Sequence, residues 1–173
     1  MPSRQTLTAL PALWLLTDAR NDAALDRALA RLPRGSAVIF RHYHLPVAER
    51  RARFAVLRRQ GRARGLLVVL AGKEHWPADM QYGRRIAGRP WLATVHSARE
   101  IARANLAGAD ALVLSPVFPT RSHPGAATLG PVRFRLLARL ASAPVIALGG
   151  MDAAGARRLR WLRWAAIDGL SRA

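Results

Sequence analysis

Short apolar runs recur along the chain at the spacing of buried strands. Most of them are continuous rather than alternating, which is typical of strands that are covered on both faces. Eight strands are predicted in this way, at Leu13–Thr17, Ala37–Tyr43, Gly65–Leu70, Asp79–Tyr82, Trp91–Val95, Ala111–Val117, Val145–Leu148 and Trp164–Ile167.

Between most of these strands the apolar positions recur at helical spacing instead. Asn21 or Asp22 is placed to cap the first predicted helix, and Ser97 with Glu100 forms a capping box at the third. After the third strand no helix is predicted, and the fourth is followed by a single turn at Arg84–Ala87. The predicted helices are Asp22–Leu32, Pro46–Arg59, Ser97–Ala107, Val132–Leu140 and Ala153–Leu162.

The alternation of strands and helices predicts an α/β fold, and eight parallel strands are the number that closes a TIM (β/α)8 barrel. An open doubly wound sheet is the alternative, but the first strand-to-helix turn, TDARND, lacks its glycine-rich fingerprint. The 173 residues fit one domain, residues 1–173, and a minimal barrel, because such barrels usually have about 250 residues. Helices are missing or shortened after strands 3, 4 and 8, where only residues 169–173 follow. We expect residues 1–11, or a second copy in a homodimer, to cover the bare faces.

The charge of the chain is strongly positive. Lys+Arg number 28 against 10 Asp+Glu, a formal net charge of +18, and Lys73 is the only lysine. This favours an anionic partner, either nucleic acid, an acidic membrane surface or a phosphorylated small molecule, unless the arginines fill solvated helix faces. The arginines are dispersed and form no basic tail, so nucleic acid is a disfavoured partner.

Two further features of the composition exclude function classes. Without cysteine there is no disulfide framework, thiol nucleophile or cysteine-bound zinc. The apolar N-terminal stretch is interrupted by Pro11 and ended by Asp18, and it falls short of the about 20 apolar residues of a membrane span. We therefore expect a cytoplasmic protein with no membrane partner.

Candidate chemistry lies at the carboxyl ends of the strands, where barrels of this kind form their active sites. Cationic side chains, hydroxyls and glycine amides are combined there, as is typical of phosphate binding. The histidines are too scattered to predict a metal site, although His42 and His44 share one face of a predicted strand. Trp76, in a polar loop, is the tryptophan placed to stack on a ligand ring; the other four lie in or beside apolar runs and are expected in the core. The strand-end residues are Asp18, Arg41, His42, His44, Thr94, His96, Ser115, Thr120, Arg121, Ser122, His123, Gly149, Gly150 and Asp168.

Two segments are the most specific. The first is Leu114–Gly130, LSPVFPTRSHPGAATLG, a long loop that leaves the sixth strand, and the second is Pro144–Met151, PVIALGGM, in which glycines follow a buried strand. Each also has a plain structural interpretation, as a proline-rich loop and as a tight turn with a helix cap. Together, and with LWLLTD near the start, they resemble the thiamine phosphate synthase/TenI family of TIM barrels.

The resemblance implies a transferase of thiamine biosynthesis. Members of the family join hydroxymethylpyrimidine diphosphate to a thiazole phosphate and release diphosphate, with the help of Mg²⁺. Mg²⁺ is therefore the implied cofactor of an active synthase, but the magnesium-binding Asn-Asp pair aligns with Ala71 and Gly72 and its site is not identifiable here. No metal ligand is assigned.

Carried over position by position, the resemblance assigns catalysis to Arg41 and His123. Asp168 stands where the family completes a phosphate cup, and a carboxylate there repels phosphate unless it is protonated or points elsewhere. The residues assigned to substrate binding are Thr94, His96, Thr120, Arg121, Ser122, Gly149, Gly150, Ile167 and Asp168.

Two alternatives to the synthase remain. One is a TenI-like thiazole tautomerase, whose catalytic histidine would stand where this chain has Pro116. The other is a non-catalytic paralogue that binds a phosphorylated thiazole-type ligand.

Overall fold

The computed structural model describes residues 10–121, 125 and 127–170. Eight parallel strands form a closed barrel in which each strand pairs with the next along the chain and β8 pairs with β1. The fold is therefore the predicted minimal (β/α)8 barrel, and the open sheet is excluded. The strands are β1 Leu13–Leu16, β2 Ala37–Phe40, β3 Leu67–Ala71, β4 Met80–Tyr82, β5 Trp91–Val95, β6 Ala111–Leu114, β7 Val145–Ala147 and β8 Trp164–Ala166.

Helices are distributed unevenly around the barrel, as the sequence predicts. Residues 72–79 and 83–90 contain no helix, and the turn predicted at Arg84–Ala87 is replaced by bends and a non-helical turn. Among the described residues after β8, only a short 3-10 helix is present, at Asp168–Leu170. None of the described helices is both long and apolar enough to cross a bilayer. The α-helices are α1 Leu25–Arg31, α2 Val47–Ala63, α3 Ala98–Leu106, α4 Gly130–Ala138 and α5 Ala153–Leu159.

The N-terminus of the first helical segment differs from the prediction. It begins with a 3-10 helix, Ala19–Ala24, whose cap is Asp18 rather than Asn21 or Asp22. The Asp18 carboxylate accepts a hydrogen bond from the helix backbone, while the Asn21 side chain accepts one from the Asp18 N–H. At the other predicted cap, Ser97 accepts from the Glu100 N–H, but Glu100 turns its carboxylate to the N–H of His96.

β2 is shorter than predicted, since it ends at Phe40 instead of Tyr43. Side chains take over the backbone groups of the next residue: the N–H of Arg41 donates to Thr17 Oγ1, and its carbonyl accepts from Arg50 Nε. His42 then adopts a left-handed conformation with φ of 36°. His42 and His44 therefore lie in a loop and not on a strand.

The core has three parts. One fills the barrel interior, and its wholly buried Trp14 donates a hydrogen bond to the carbonyl of Pro11. The other two lie outside the barrel, one beneath α1 and α2 and one beneath α3, α4 and α5. The other three tryptophans predicted to be in the core are partly buried against the cluster beneath α3, α4 and α5; they are Trp91, Trp161 and Trp164.

The missing helix after β3 is partly replaced by the loop itself. Trp76 packs against Phe54 of α2 with ring centroids 5.7 Å apart, and Ala78 joins the same cluster. Trp76 is thus a packing residue rather than the ligand-stacking residue that the sequence predicts. Of the predicted cover at residues 1–11, residues 1–9 lie outside the described residues, and Leu10 packs into the barrel interior.

Candidate functional site

A cavity of about 780 Å³ lies at the carboxyl ends of the strands. Residues predicted from five separate strand ends or loops meet there. The residues assigned to catalysis or substrate binding that line it are Arg41, Thr94, His96, Thr120, Arg121, Gly149, Gly150, Ile167 and Asp168. The other two, Ser122 and His123, lie outside the described residues.

The two most specific sequence segments are packed directly against each other in this cavity. Gly149 and Gly150 both have positive φ, of 96° and 61°. A Cβ at Gly149 would lie 2.7 Å from Pro116 Cα, and one at Gly150 would lie 2.4 Å from the Pro119 carbonyl oxygen. Glycine is therefore required at both positions, for backbone conformation and for close approach. The segment after β7 thereby fixes the start of the loop that carries Thr120 and Arg121.

One wall of the cavity is formed where β5 and β6 end. Thr94 is the exposed residue of an otherwise largely buried β5, so its side chain faces the cavity. His96 lies with its Nδ1 2.9 Å from the carbonyl oxygen of Ser115 and 3.3 Å from the Ser115 hydroxyl. This contact orients the imidazole of His96 beside the loop.

Asp168 does not face the cavity as an isolated carboxylate. Its Oδ2 lies 3.6 Å from Arg20 NH1, and Arg20 Nε lies 2.9 Å from Asp18 Oδ1. Asp18 Oδ2 in turn lies 3.8 Å from Arg41 NH2. Burial acts to raise the pKa of Asp18, but hydrogen bonds and the charges of Arg20 and Arg41 outweigh it and hold the pKa below its ordinary value. The alternating charges link β1, β2 and β8, and they draw the negative charge of Asp168 toward a cation.

Arg50 is the structural residue that sequence reasoning missed. It lies on α2 with its side chain 4% exposed, and its guanidinium reaches the ends of β2 and β3. Nε donates to the Arg41 carbonyl at 2.8 Å, NH2 donates to the Ala71 carbonyl at 2.5 Å, and NH1 forms an ion pair with Glu74 at 2.7 Å. In an arginine-rich helix nothing in the local pattern distinguishes this residue from its solvated neighbours.

Two tyrosines also line the cavity without having been predicted. Tyr43 follows Arg41 by two residues, and Tyr82 ends β4. Burial raises the pKa of Tyr82 to about 12, so its phenol remains protonated and able to donate a hydrogen bond at neutral pH. The strand-end rule that found Arg41 and Thr94 applies equally to Tyr82.

The residues at the ends of β3 and β4 do not fit the magnesium ion that the resemblance implies. Mg²⁺ is held by oxygen ligands, usually with one or two carboxylates. The nearest carboxylate, Glu74, is paired with Arg50, and a Cβ at Gly72 would lie 2.5 Å from Glu74 Oε2. A side chain at position 72 would displace the Glu74 carboxylate, and the φ of 108° at Gly72 strains any residue other than glycine. Lys73 and Arg84 line the adjoining cavity, so cations stand where ligands for a cation are needed.

The fold and the site together define a (β/α)8 barrel with a cation-, hydroxyl- and glycine-lined cavity at the carboxyl ends of its strands. A family model described as thiamine monophosphate synthase matches residues 83–167, from just after β4 to just after β8. The match covers just under half of the chain, 85 of its 173 residues, and supports the resemblance to the thiamine phosphate synthase/TenI family that the sequence motifs carry.

Comparison with solved structures shows the same fold. The thiamine phosphate pyrophosphorylase from Pyrococcus furiosus superposes with a TM-score of 0.80 at 23% identity, covering 95% of this chain and 88% of that one. A structure described as native KDPGal superposes with a TM-score of 0.61 at 17% identity, covering 93% and 84%. FabK from Thermotoga maritima gives 0.62 at 19% identity, covering 95% and 60%. No curated protein matches the sequence.

Proposed function

We propose that the protein is a thiamine phosphate synthase-like transferase that joins hydroxymethylpyrimidine diphosphate to thiazole phosphate. The observation that carries this proposal is the convergence of Arg41, Thr120, Arg121 and the Gly149–Gly150 turn on one cavity. Guanidinium groups, hydroxyls and exposed backbone amides are the groups that hold phosphate esters. A phosphorylated small molecule is accordingly the partner that we propose for the cavity.

The reaction requires separation and neutralisation of charge rather than a protein nucleophile. The bond between the pyrimidine methylene carbon and the diphosphate oxygen breaks, and the electron pair leaves with diphosphate. The lone pair of the thiazole nitrogen then forms the new carbon–nitrogen bond, and the product is a thiazolium cation. The protein's contribution is to hold the two rings together and to stabilise the leaving group.

The cavity and its neighbour offer a place for each anion. We assign the thiazole phosphate to the Gly149–Gly150 turn and Thr120, on the β6–β7 side. The diphosphate is assigned to the opposite side, where Lys73 and Arg84 line an adjoining cavity that shares Tyr43, Tyr82 and Thr94 with the first. Arg41 lines the first cavity, which adjoins the one lined by Lys73 and Arg84. Side-chain cations then neutralise the diphosphate. Among the described residues at this place, no pair of carboxylates is available to hold Mg²⁺ for that purpose.

A second candidate is a non-catalytic paralogue that binds a phosphorylated thiazole-type ligand. The replacement of the metal-binding position by Gly72 favours it, because the family's chemistry draws on Mg²⁺ at that place. A TenI-like tautomerase is disfavoured, since Pro116 carries no group that transfers a proton.

The test uses purified protein with both substrates and measures diphosphate release, with Mg²⁺ and separately with EDTA. A transferase that relies on its own cations releases diphosphate in both conditions. Arg41→Ala should lower the rate about 100-fold, the scale of losing one charge-stabilising donor. Arg139→Ala is the matched control, because Arg139 is an exposed arginine at the end of α4 outside the cavity lining.

The outcomes separate the candidates. Full activity of Arg41→Ala removes Arg41 from the site. If no diphosphate is released but thiazole phosphate binds in a calorimetric titration, the non-catalytic paralogue is selected. If neither release nor binding occurs, both candidates are refuted.

A further inference from the structure

Three potential metal ligands come together beside the barrel, apart from the cavity. Potential ligand atoms of Asp22, His42 and His44 all lie within 4.8 Å of one another. None of the three lines the cavity, whereas their chain neighbours Arg41 and Tyr43 do. The scatter of histidines along the sequence concealed this cluster, because Asp22 comes from the 3-10 helix after β1 and the histidines from the loop after β2.

The surroundings of His42 fix the position of its side chain, as is typical of a metal-binding histidine. It is 1% exposed, it stacks on Phe40 with ring centroids 4.7 Å apart, and its φ of 36° is uncommon for a residue with a side chain. Such backbone conformations persist where the surroundings enforce them, and they concentrate at ligand sites.

The two ring nitrogens of His42 are used differently. Nδ1 forms a hydrogen bond with Thr17 Oγ1 at 2.7 Å. Nε2 lies 2.9 Å from Asp22 Oδ1, yet it makes no hydrogen bond within the described part of the chain. An imidazole with Nδ1 anchored to the Thr17 hydroxyl and Nε2 directed at a second potential ligand has the arrangement of a metal-bound histidine with its outer-shell partner.

We propose that Asp22, His42 and His44 form a binding site for a transition-metal dication of the zinc class. Two imidazoles and a carboxylate supply three ligands, and water fills the fourth tetrahedral position. Imidazole donors suit Zn²⁺, Co²⁺ and Cu²⁺ and not Mg²⁺ or Ca²⁺, which distinguishes this site from the family's magnesium position. In the bound state His42 Nδ1–H donates to Thr17, whose hydroxyl oxygen also accepts from the Arg41 N–H.

The surroundings set limits on affinity. Arg53 donates to Asp22 Oδ1 through Nε at 3.2 Å and NH2 at 3.0 Å, so a cation already shares the carboxylate. That contact fixes Asp22 in place, but its positive charge also repels a second cation. The ligand atoms lie within 4.8 Å of one another, whereas the ligands of a tetrahedral site with zinc bonds of about 2.1 Å are about 3.4 Å apart, so metal binding requires a side chain to move. His44 is exposed and is free to do so.

A metal at this place would connect to the cavity through the backbone. Ligation by His42 and His44 fixes both ends of a three-residue segment whose middle residue, Tyr43, lines the cavity. Arg41 immediately precedes that segment. Metal binding should therefore stabilise the β2 loop, whatever molecule the cavity accepts.

The experiment is a titration of the chelator-treated full chain with Co²⁺, followed by visible absorption, and with Zn²⁺, followed by calorimetry and thermal midpoint. His44→Ala is the informative variant because His44 is exposed and its removal leaves the buried His42 in place. His75→Ala is the matched control, since His75 is also exposed but lies outside the cluster.

We expect one equivalent of Zn²⁺ to bind and to raise the thermal midpoint, and one equivalent of Co²⁺ to give the visible bands of a four-coordinate nitrogen and oxygen site. His44→Ala should weaken Zn²⁺ binding at least 10-fold, while His75→Ala binds like the parent chain. Absence of binding by the parent chain, or equal binding by His44→Ala, overturns the proposal. Loss of diphosphate-releasing activity in a separate assay has no bearing on this result, so the site is tested independently of the proposed function.

Discussion

Replacing Arg50 by methionine tests whether one buried guanidinium holds the β2 and β3 ends of the barrel together. Arg50 and Arg62 lie on the same helix, α2, and each pairs with one carboxylate, at 2.7 Å to Glu74 and 2.6 Å to Asp79. Their side chains are 4% and 53% exposed. Arg62→Met is therefore a control that matches helix, residue type and pairing and differs in burial.

The expected loss follows from what each substitution leaves behind. Arg50→Met removes two charge-assisted hydrogen bonds, to the carbonyls of Arg41 and Ala71, and leaves both oxygens without these donors. Each such bond contributes about 1.5–3 kcal/mol, and breaking a buried pair by removing one partner costs about 3–5 kcal/mol. Methionine keeps much of the apolar stem, so we expect the free energy of unfolding to fall by about 3–5 kcal/mol. Arg62→Met removes an exposed pair and should cost about 1 kcal/mol or less.

Urea denaturation followed by tryptophan fluorescence and circular dichroism measures both changes by linear extrapolation. For a chain of this size about 2–4 °C of thermal midpoint corresponds to each kcal/mol, so Arg50→Met should unfold about 6–20 °C earlier. Equal losses in the two variants, or a loss below about 1 kcal/mol in Arg50→Met, would refute the reasoning. In that case the buried guanidinium of Arg50 would stabilise the fold no more than a solvent-exposed arginine does.

Two further predictions concern the same region and the glycine turn. Gly150→Ala should weaken thiazole phosphate binding at least 10-fold in a calorimetric titration, because its Cβ would lie 2.4 Å from the Pro119 carbonyl oxygen. Gly88→Ala is the control: Gly88 has φ of 73° and open space around it, so the substitution shares only the backbone strain and should leave binding unchanged. Equal effects of the two alanines would show that close approach is unimportant. Burial acts to raise the pKa of Glu74, but its contacts with Arg50 outweigh this effect and hold the pKa below the ordinary value of 4.5. The ion pair therefore stabilises the fold above that pH, and its contribution is lost as the pH falls through the folded-state pKa. The acid-induced decrease in unfolding free energy should shrink in Arg50→Met, and an unchanged pH profile would contradict the assignment.

The barrel was predictable from the sequence because its signal is repeated. Eight buried strands and five helices each contribute an independent pattern, and an error of two or three residues at one strand leaves the topology intact. β2 shows where such errors arise. Its apolar run continues past Phe40, but Thr17 and Arg50, which are distant in the chain, take the backbone groups of Arg41 and end the strand. Local propensity contains no information about those two side chains.

The candidate site was predictable to the extent that strand ends determine position. Arg41, Thr94 and Gly150 follow directly from the rule that parallel strands present their carboxyl ends at one face. Residues whose position depends on tertiary contacts were missed. The polar loop of Trp76 indicates a ring that is available to a ligand, yet the structure packs this ring against Phe54 of α2 on the side of the barrel where no helix follows β3.

At the ends of β3 and β4, side-chain cations stand where the resemblance implies a metal ion. A divalent metal site and an arginine both place positive charge near a phosphate, but they impose opposite requirements on their neighbours: the metal needs carboxylates, and the arginine needs carbonyls or a carboxylate partner. Arg50 uses the carbonyls of Arg41 and Ala71 and the carboxylate of Glu74. With Glu74 held by that guanidinium, a second carboxylate at position 72 would have to displace Glu74 and adopt a strained φ of 108°. Gly72 and Arg50 are therefore coupled through Glu74, and we expect Gly72→Asp in the presence of Arg50 not to create a magnesium site.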